Sequence, residues 1–154
     1  MAGEHLEALG SGTICQIAVV VRDIERSAKT YADLLGVDVP GYHLTGPEEE
    51  TNIRYRGRPT PGRAKLAFLQ MGNISLELIE PVGGPSIWQE YLDANGEGVH
   101  HIAFRIKGMD EHVTMLEDKG MPVVQTGDYK GGRYSYVDSA AKLGVLLELL
   151  ESYP

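Results

Sequence analysis

At 154 residues the chain suits one compact domain, or two small modules sharing a core, and can bury roughly two thirds of its unfolded surface without a disulfide or structural metal. Its 42% hydrophobic and 23% charged residues are ordinary for a globular protein and exclude disorder, collagen and coiled coil. A formal net charge of -8 argues against a nucleic-acid partner, because neutralising phosphates needs a basic surface.

Residues 1–12 are polar and Gly-containing and read as a flexible lead-in. They lack the basic start and apolar run of an export signal, and no stretch approaches the roughly 18 apolar residues of a membrane span. A cytoplasmic protein with no membrane partner is expected. Ile14 to Arg22, rich in β-branched residues, predicts a strand, and the single cysteine within it, Cys15, is expected to be a buried, inert thiol. Asp23 can cap a helix whose apolar positions Ile24, Ala28, Tyr31 and Leu35 follow helical spacing, with Gly36 just past its end. The next stretch is loop-rich. Arg54, Arg56, Arg58 and Arg63 crowd into a Pro/Gly-rich segment that reads as an exposed loop or hairpin, either solvated or able to hold an anion such as a phosphate.

Lys65–Met71 and Ile74–Ile79 are apolar runs separated by Gly72-Asn73, a hairpin signal. Pro81–Pro85 forms a hinge, and Ser86–Asn95 predicts a short helix with Ile87, Trp88, Tyr91 and Leu92 on its inner side. Then come a strand over Val99–Ile106, a helix over Asp110–Lys119 stopped by Gly120, and short strands around Val123, Tyr134–Val137 and Gly144–Leu150. The expected organisation is a lead-in (1–12), a first module (13–82), a connector with a short helix (83–97) and a second module (98–154).

The two modules echo one another. Gln16-Ile-Ala-Val-Val-Val returns as His101-Ile-Ala-Phe-Arg-Ile, and Leu76-Glu77-Leu-Ile-Glu80 returns as Leu147-Glu148-Leu-Leu-Glu151. Alternate residues of a strand face opposite sides. Ile17, Val19 and Val21 therefore face a helix layer, as do Ile102, Phe104 and Ile106, leaving Gln16, Ala18 and Val20, and His101, Ala103 and Arg105, on the other face. Glu77 and Glu148 are likewise opposed to their leucine neighbours. Either glutamate alone reads as the solvent face of a half-exposed strand. Their recurrence with Gln16 and His101, beside the small residues Ala18 and Ala103, predicts instead a cavity with a metal site. One imidazole, one amide oxygen and two carboxylates suit a single divalent ion of Zn, Co, Mn, Ni or Fe.

Other candidates surround this set. Arg105 is a contact for a substrate carboxylate or phosphate, or a solvated arginine. Tyr134 and Tyr136 share a strand face and line a pocket or pack in the core. His100 falls on the face opposite His101 and is expected to pack or to support the ligands from behind. His5, His43 and His112 are expected at the surface, in a tail, a loop and a helix. No phosphate-loop, dinucleotide or nucleophile-elbow pattern occurs.

These segments, from Ile17–Gly36 through Gly72–Pro81 and Gly96–Phe104 to Gly144–Leu149, resemble the vicinal oxygen chelate superfamily, and within it the methylmalonyl-CoA epimerase branch. The resemblance implies an α+β fold in which two βαβββ modules form a curled mixed sheet around a metal. It also implies an isomerase that moves a proton next to the carbonyl of a small carbonyl compound or acyl-CoA, and a homodimer. In that family the ligands read His, Gln, His, Glu. His101 and Glu148 carry over, whereas Gln16 stands where a histidine is expected and Glu77 where a glutamine is. The resulting set resembles that of zinc-type glyoxalase I enzymes. The arginine those enzymes use for glutathione would fall at Val20, and their asparagine at Pro81, so a glutathione substrate is not expected.

The epimerases pair two carboxylate bases. Glu148 matches one, but the strand expected to carry the other, Ala64 to Phe68, has none. Glu77 takes that role, or one base suffices. Arg54 and Arg56 join Arg105, Tyr134 and Tyr136 as candidate substrate contacts. The alternatives are a lactoylglutathione lyase-like enzyme acting on another small carbonyl compound, and a binding or resistance protein of the same fold without chemistry.

Overall fold

Residues alternate between more and less buried along β1 (Ile14–Val20), the mark of a strand packed on both faces. The computed structural model, described here over residues 6–154, continues with α1 (Ile24–Leu35), β2 (Tyr42–Leu44), α2 (Glu48–Thr51), β3 (Arg54–Tyr55), β4 (Arg58–Pro59), β5 (Arg63–Met71) and β6 (Ile74–Val82). α3 (Ile87–Asn95) then leads to β7 (Gly98–Arg105), α4 (Met109–Asp118), β8 (Val123–Tyr129), β9 (Gly132–Val137), α5 (Ala140–Leu143) and β10 (Leu146–Ser152). All ten strands join one curled mixed sheet in the order β2-β5-β6-β1-β7-β10-β9-β8-β3-β4.

Two halves mirror each other in that order. β6 lies parallel to β1 and β10 parallel to β7, while β1 and β7 meet antiparallel at the centre. α1 covers one flank, where Val21, Ile24, Ala28, Ala67, Leu69 and Leu78 form a cluster. α4 covers the other, with Ile106, Met109, Met115, Leu116, Val137 and Leu149. Both helices lie outside the curl. α3 lies inside it, where Ile87, Trp88 and Leu92 pack on Ala18, Val20, Ala64 and Ile79 and close one end of the trough.

The helix signals act as read. Asp23 accepts the Arg26 amide at 3.1 Å, and Gly36 ends α1 in the left-handed region at φ 69°. The last glutamate of each echo fastens a helix start to its closing strand. Glu80 accepts the Ile24 amide at 3.0 Å and pairs with Lys65 at 3.2 Å. Glu151 accepts the Gly108 and Met109 amides at 2.6 and 3.0 Å and pairs with Arg133 at 2.9 Å. Carboxylates on exposed helix N-terminal amides satisfy donors that the helix itself leaves unpaired.

Several expectations need correcting. Leu35 is 42% exposed, because the buried stripe runs through Ile24, Ala28 and Ala32 and leaves the last turn in solvent. His112 is buried rather than superficial: its Nδ1 lies 2.7 Å from the Gly108 carbonyl and its Nε2 3.0 Å from the Leu9 carbonyl. Leu6 and Leu9 pack on the core beneath α4, so this part of the expected flexible lead-in is docked; residues 1–5, including His5, lie outside the described residues. Cys15 is half-buried, its Sγ 3.4 Å from the Ala103 carbonyl, with burial raising the thiol above its ordinary range. His43 lies on β2, exposed and stacked on Phe68 at 6.2 Å.

The arginine-rich stretch forms a hairpin whose turn residues Arg56 and Gly57 both have positive φ, at 50° and 80°. This hairpin leaves the first half and pairs with β8, extending the edge of the second. Among the described residues, no helix is long and apolar enough to cross a membrane.

Candidate active site

The central pair of strands sets the site. Gln16 is opposite Ala103 and Ala18 opposite His101, and residues so paired share a face. On the flanks, Glu77 is in register with Ala18 and Glu148 with Ala103. Each glutamate therefore stands beside the alanine that follows Gln16 or His101 by two positions. The same relation holds in both halves, so the duplication turns four polar groups into one trough. Ala18 and Ala103 are fully buried and leave the floor open.

A cavity of about 670 Å³ occupies the trough. Gln16, Glu77, Glu148, Arg105, Tyr134 and Tyr136 all line it. His101 lies at its floor, where Nε2 is 3.0 Å from Gln16 Oε1 and 2.5 Å from Glu148 Oε2. Arg54 and Arg56 do not reach it. Arg54 is paired with Glu48 at 3.4 Å and Arg56 with Glu90 at 2.7 Å, because their hairpin crosses to the β8 edge.

Burial dominates the electrostatics. Glu148 is pushed up to about 8 by burial, against opposing contributions from the Tyr136 hydroxyl and the Arg105 guanidinium. Glu77 is held well above the ordinary carboxylate range by burial and then by the neighbouring Glu148 charge. His101 is lowered to about 3, again by burial. Burial thus favours the neutral form of each of these floor groups.

The donor set fits a divalent ion. Gln16 Oε1 and Glu148 Oε2 both stand beside His101 Nε2, and Glu148 Oε2 has no hydrogen-bond partner. A cation would satisfy all three atoms together. The close set is one imidazole, one amide and one carboxylate, and Glu77 lines the same cavity from β6. Among the described residues, no three His, Cys, Asp or Glu side chains stand near enough to hold an ion by themselves.

Sequence reasoning gave several groups no part in the site. Trp88 on α3 donates to the Tyr136 hydroxyl at 3.1 Å, and Gln125 on β8 accepts the Ile87 amide at 2.8 Å while donating to the Tyr134 hydroxyl at 3.2 Å. These bonds lock both cavity tyrosines to the plugging helix. Asp128, Lys130 and Glu50 line the cavity as well, on segments whose approach is set by tertiary packing alone.

A family model described as the Glyoxalase/Bleomycin resistance protein/Dioxygenase superfamily matches residues 15–137. The chain is 28% identical over 138 residues to the uncharacterized protein YqjC of Bacillus subtilis, covering 88% of this chain and 89% of the relative. It is 27% identical over 124 residues to an ethylmalonyl-CoA/methylmalonyl-CoA epimerase of Cereibacter sphaeroides, covering 80% and 82%. Among solved structures, a variant of Streptomyces coelicolor methylmalonyl-CoA epimerase in complex with 2-nitronate-propionyl-CoA superposes with a TM-score of 0.62 at 26% identity, covering 91% of this chain and 94% of that one. Two mirrored half-sheets around a polar trough, and a family match over most of the length, establish that the chain belongs to the glyoxalase/bleomycin resistance protein/dioxygenase superfamily.

Proposed function

We propose that this protein is a divalent-metal-dependent isomerase of the methylmalonyl-CoA epimerase type, transferring a proton at the carbon next to the carbonyl of an acyl thioester. The observation that carries this reading is the pair of buried glutamates, Glu77 and Glu148, lining one cavity with His101 and Gln16 at its floor. Similarity to relatives named as epimerases supports the substrate class.

Gln16, Glu77, His101 and Glu148 would hold the ion. A bound divalent cation supplies charge that stabilises the enolate oxygen formed on loss of the α-proton. Glu148, buried beside His101 on the trough floor, takes the proton. Glu77 is the partner that returns a proton to the opposite face. β5 offers no rival, since its trough-facing positions are Ala64, Leu66 and Phe68, in register with Pro81, Ile79 and Glu77. Arg105, exposed at the cavity wall with Lys130, binds the anionic part of the substrate, and Tyr134 and Tyr136 exclude water from the reacting carbon.

Metal analysis tests the ligand assignment. Protein purified without chelator should carry about one equivalent of divalent metal, as expected for a single site, and Glu77→Ala and Glu148→Ala should each lose it. Full occupancy in both variants would contradict the assignment. The exchange of an amide for Glu77 also favours a second reading, a glyoxalase-type isomerase acting on another small carbonyl compound.

A further inference from the structure

α3 plugs the trough at the Val20 end of β1, so an extended ligand has its exit toward Ile14 and the neighbouring end of β7. Strand pairing carries that direction to the far wall. Tyr136 stands opposite Glu148; one step outward Tyr134 stands opposite Leu150, which is in register with Arg105; at the rim Gly132 stands opposite Ser152. The facing positions on β8 are Gln125, Gly127 and Tyr129, paired in turn with Tyr136, Tyr134 and Gly132. A molecule that reacts at Glu148 and reaches out of the trough therefore passes Tyr134 and Tyr129, both of which line the cavity.

Tyr134 occupies the space that a side chain at 127 would need. A Cβ at Gly127 would stand 2.6 Å from the Tyr134 hydroxyl oxygen and 2.7 Å from two of its ring carbons, well inside van der Waals contact. Gly127 is buried beneath that ring. The ring is also held: its hydroxyl accepts from Gln125 Nε2 at 3.2 Å, and the Tyr136 and Trp88 rings lie 5.1 and 6.4 Å away, centroid to centroid. Gly127 does not have positive φ, so its backbone makes no demand for glycine and the missing Cβ is what the position uses. The rim repeats the arrangement, since a Cβ at Gly132 would stand 2.6 Å from the Tyr129 hydroxyl.

We propose that Gly127 is a specificity-determining residue of the trough: lacking a side chain, it lets the Tyr134 ring lie against β8 and keeps the passage between Glu148 and the rim open for the extended arm of an acyl thioester. The inference rests on the thioester reading of the site. With a larger residue at 127 the ring must rise into the trough, narrowing the way out. A compact carbonyl compound, held at the floor, needs no such passage.

The test combines the crystal structure of Gly127→Ala with calorimetric binding of propionyl-CoA. The ring should be lifted from β8 with its bond to Gln125 broken. Affinity should fall about 10-fold or more, because the arm enters only by pressing the ring onto the added methyl. In Gly127→Ala/Tyr134→Ala the methyl has no ring to meet, and most of the affinity should return; general damage to packing would not be repaired by a second truncation. Wild-type affinity in Gly127→Ala, an unmoved ring, or a double variant as weak as the single one overturns the proposal. If Gly127→Ala does not fold, the double variant should fold and bind, and its failure as well would overturn the proposal. Absence of propionyl-CoA binding by the wild-type protein would sink the thioester reading instead, and the ring position in Gly127→Ala would still decide whether the glycine seats Tyr134.

Discussion

Glu148 meets two demands at the scale of a single residue. Burial raises its carboxyl to about 8, so the metal-free protein holds it protonated where the unfolded chain, at the ordinary 4.5, does not. A folded-state pKa raised above the unfolded value gives stability that is full below about 4.5 and is lost as pH rises through about 8. Above pH 7 the melting temperature of metal-free Glu148→Gln should therefore fall less steeply with pH than that of the wild type, Glu77 contributing the remaining slope; parallel pH curves would contradict the burial account. Gln16, Glu77, His101 and Glu148 were all legible in the sequence, because period two and an internal repeat together specify which face a residue takes. His100 was legible only in part. Its packing role followed from the period, but the bulge that turns its ring onto His101 is a product of pairing with β1 and leaves no local trace.

At the scale of elements, the strands and helices of both halves could be read from β-branched runs, caps and glycines, since each depends on neighbours within a few residues. The role of the closing glutamates could not. Glu80 and Glu151 recur in the sequence just as Glu77 and Glu148 do, yet only the folded sheet brings Glu80 to the first amide of α1 and Glu151 to the first amides at α4. Glu151→Ala should cost about 1 kcal/mol, the usual loss for an N-terminal cap, measured by urea unfolding, with larger losses if Arg133 is left unpaired. Unchanged stability would show that solvent replaces the bond at no cost. The β3–β4 hairpin was visible as a turn-forming segment, but its partner was not. Nothing local in Arg54 to Pro59 says that it joins β8, more than sixty residues away in sequence, rather than β5.

For the whole molecule, the mirrored strand order turns a repeat in sequence into a single enclosed trough. Neither half contains the site: Gln16 and Glu77 come from one, His101 and Glu148 from the other, and α3 between them seals one end with Trp88 bonded to Tyr136. The order of elements in each half and the shared polar face followed from the repeat, and the curled sheet from the resemblance to the superfamily. The cavity's other wall, with Asp128, Lys130 and Glu50, depends on how the β8 edge and α2 approach, and that geometry is long-range.

The account is tested most directly by deuterium exchange at the α-carbon of methylmalonyl-CoA in ²H₂O, followed by mass spectrometry, with the protein supplied with Co²⁺ or Mn²⁺ and compared with Glu148→Gln of equal melting temperature. Catalysed exchange by the wild-type protein, reduced at least about 100-fold in Glu148→Gln as expected for loss of a general base, is the predicted result. Exchange that persists in Glu148→Gln at the wild-type rate, or none above the uncatalysed rate in the metal-supplied wild type, would contradict it.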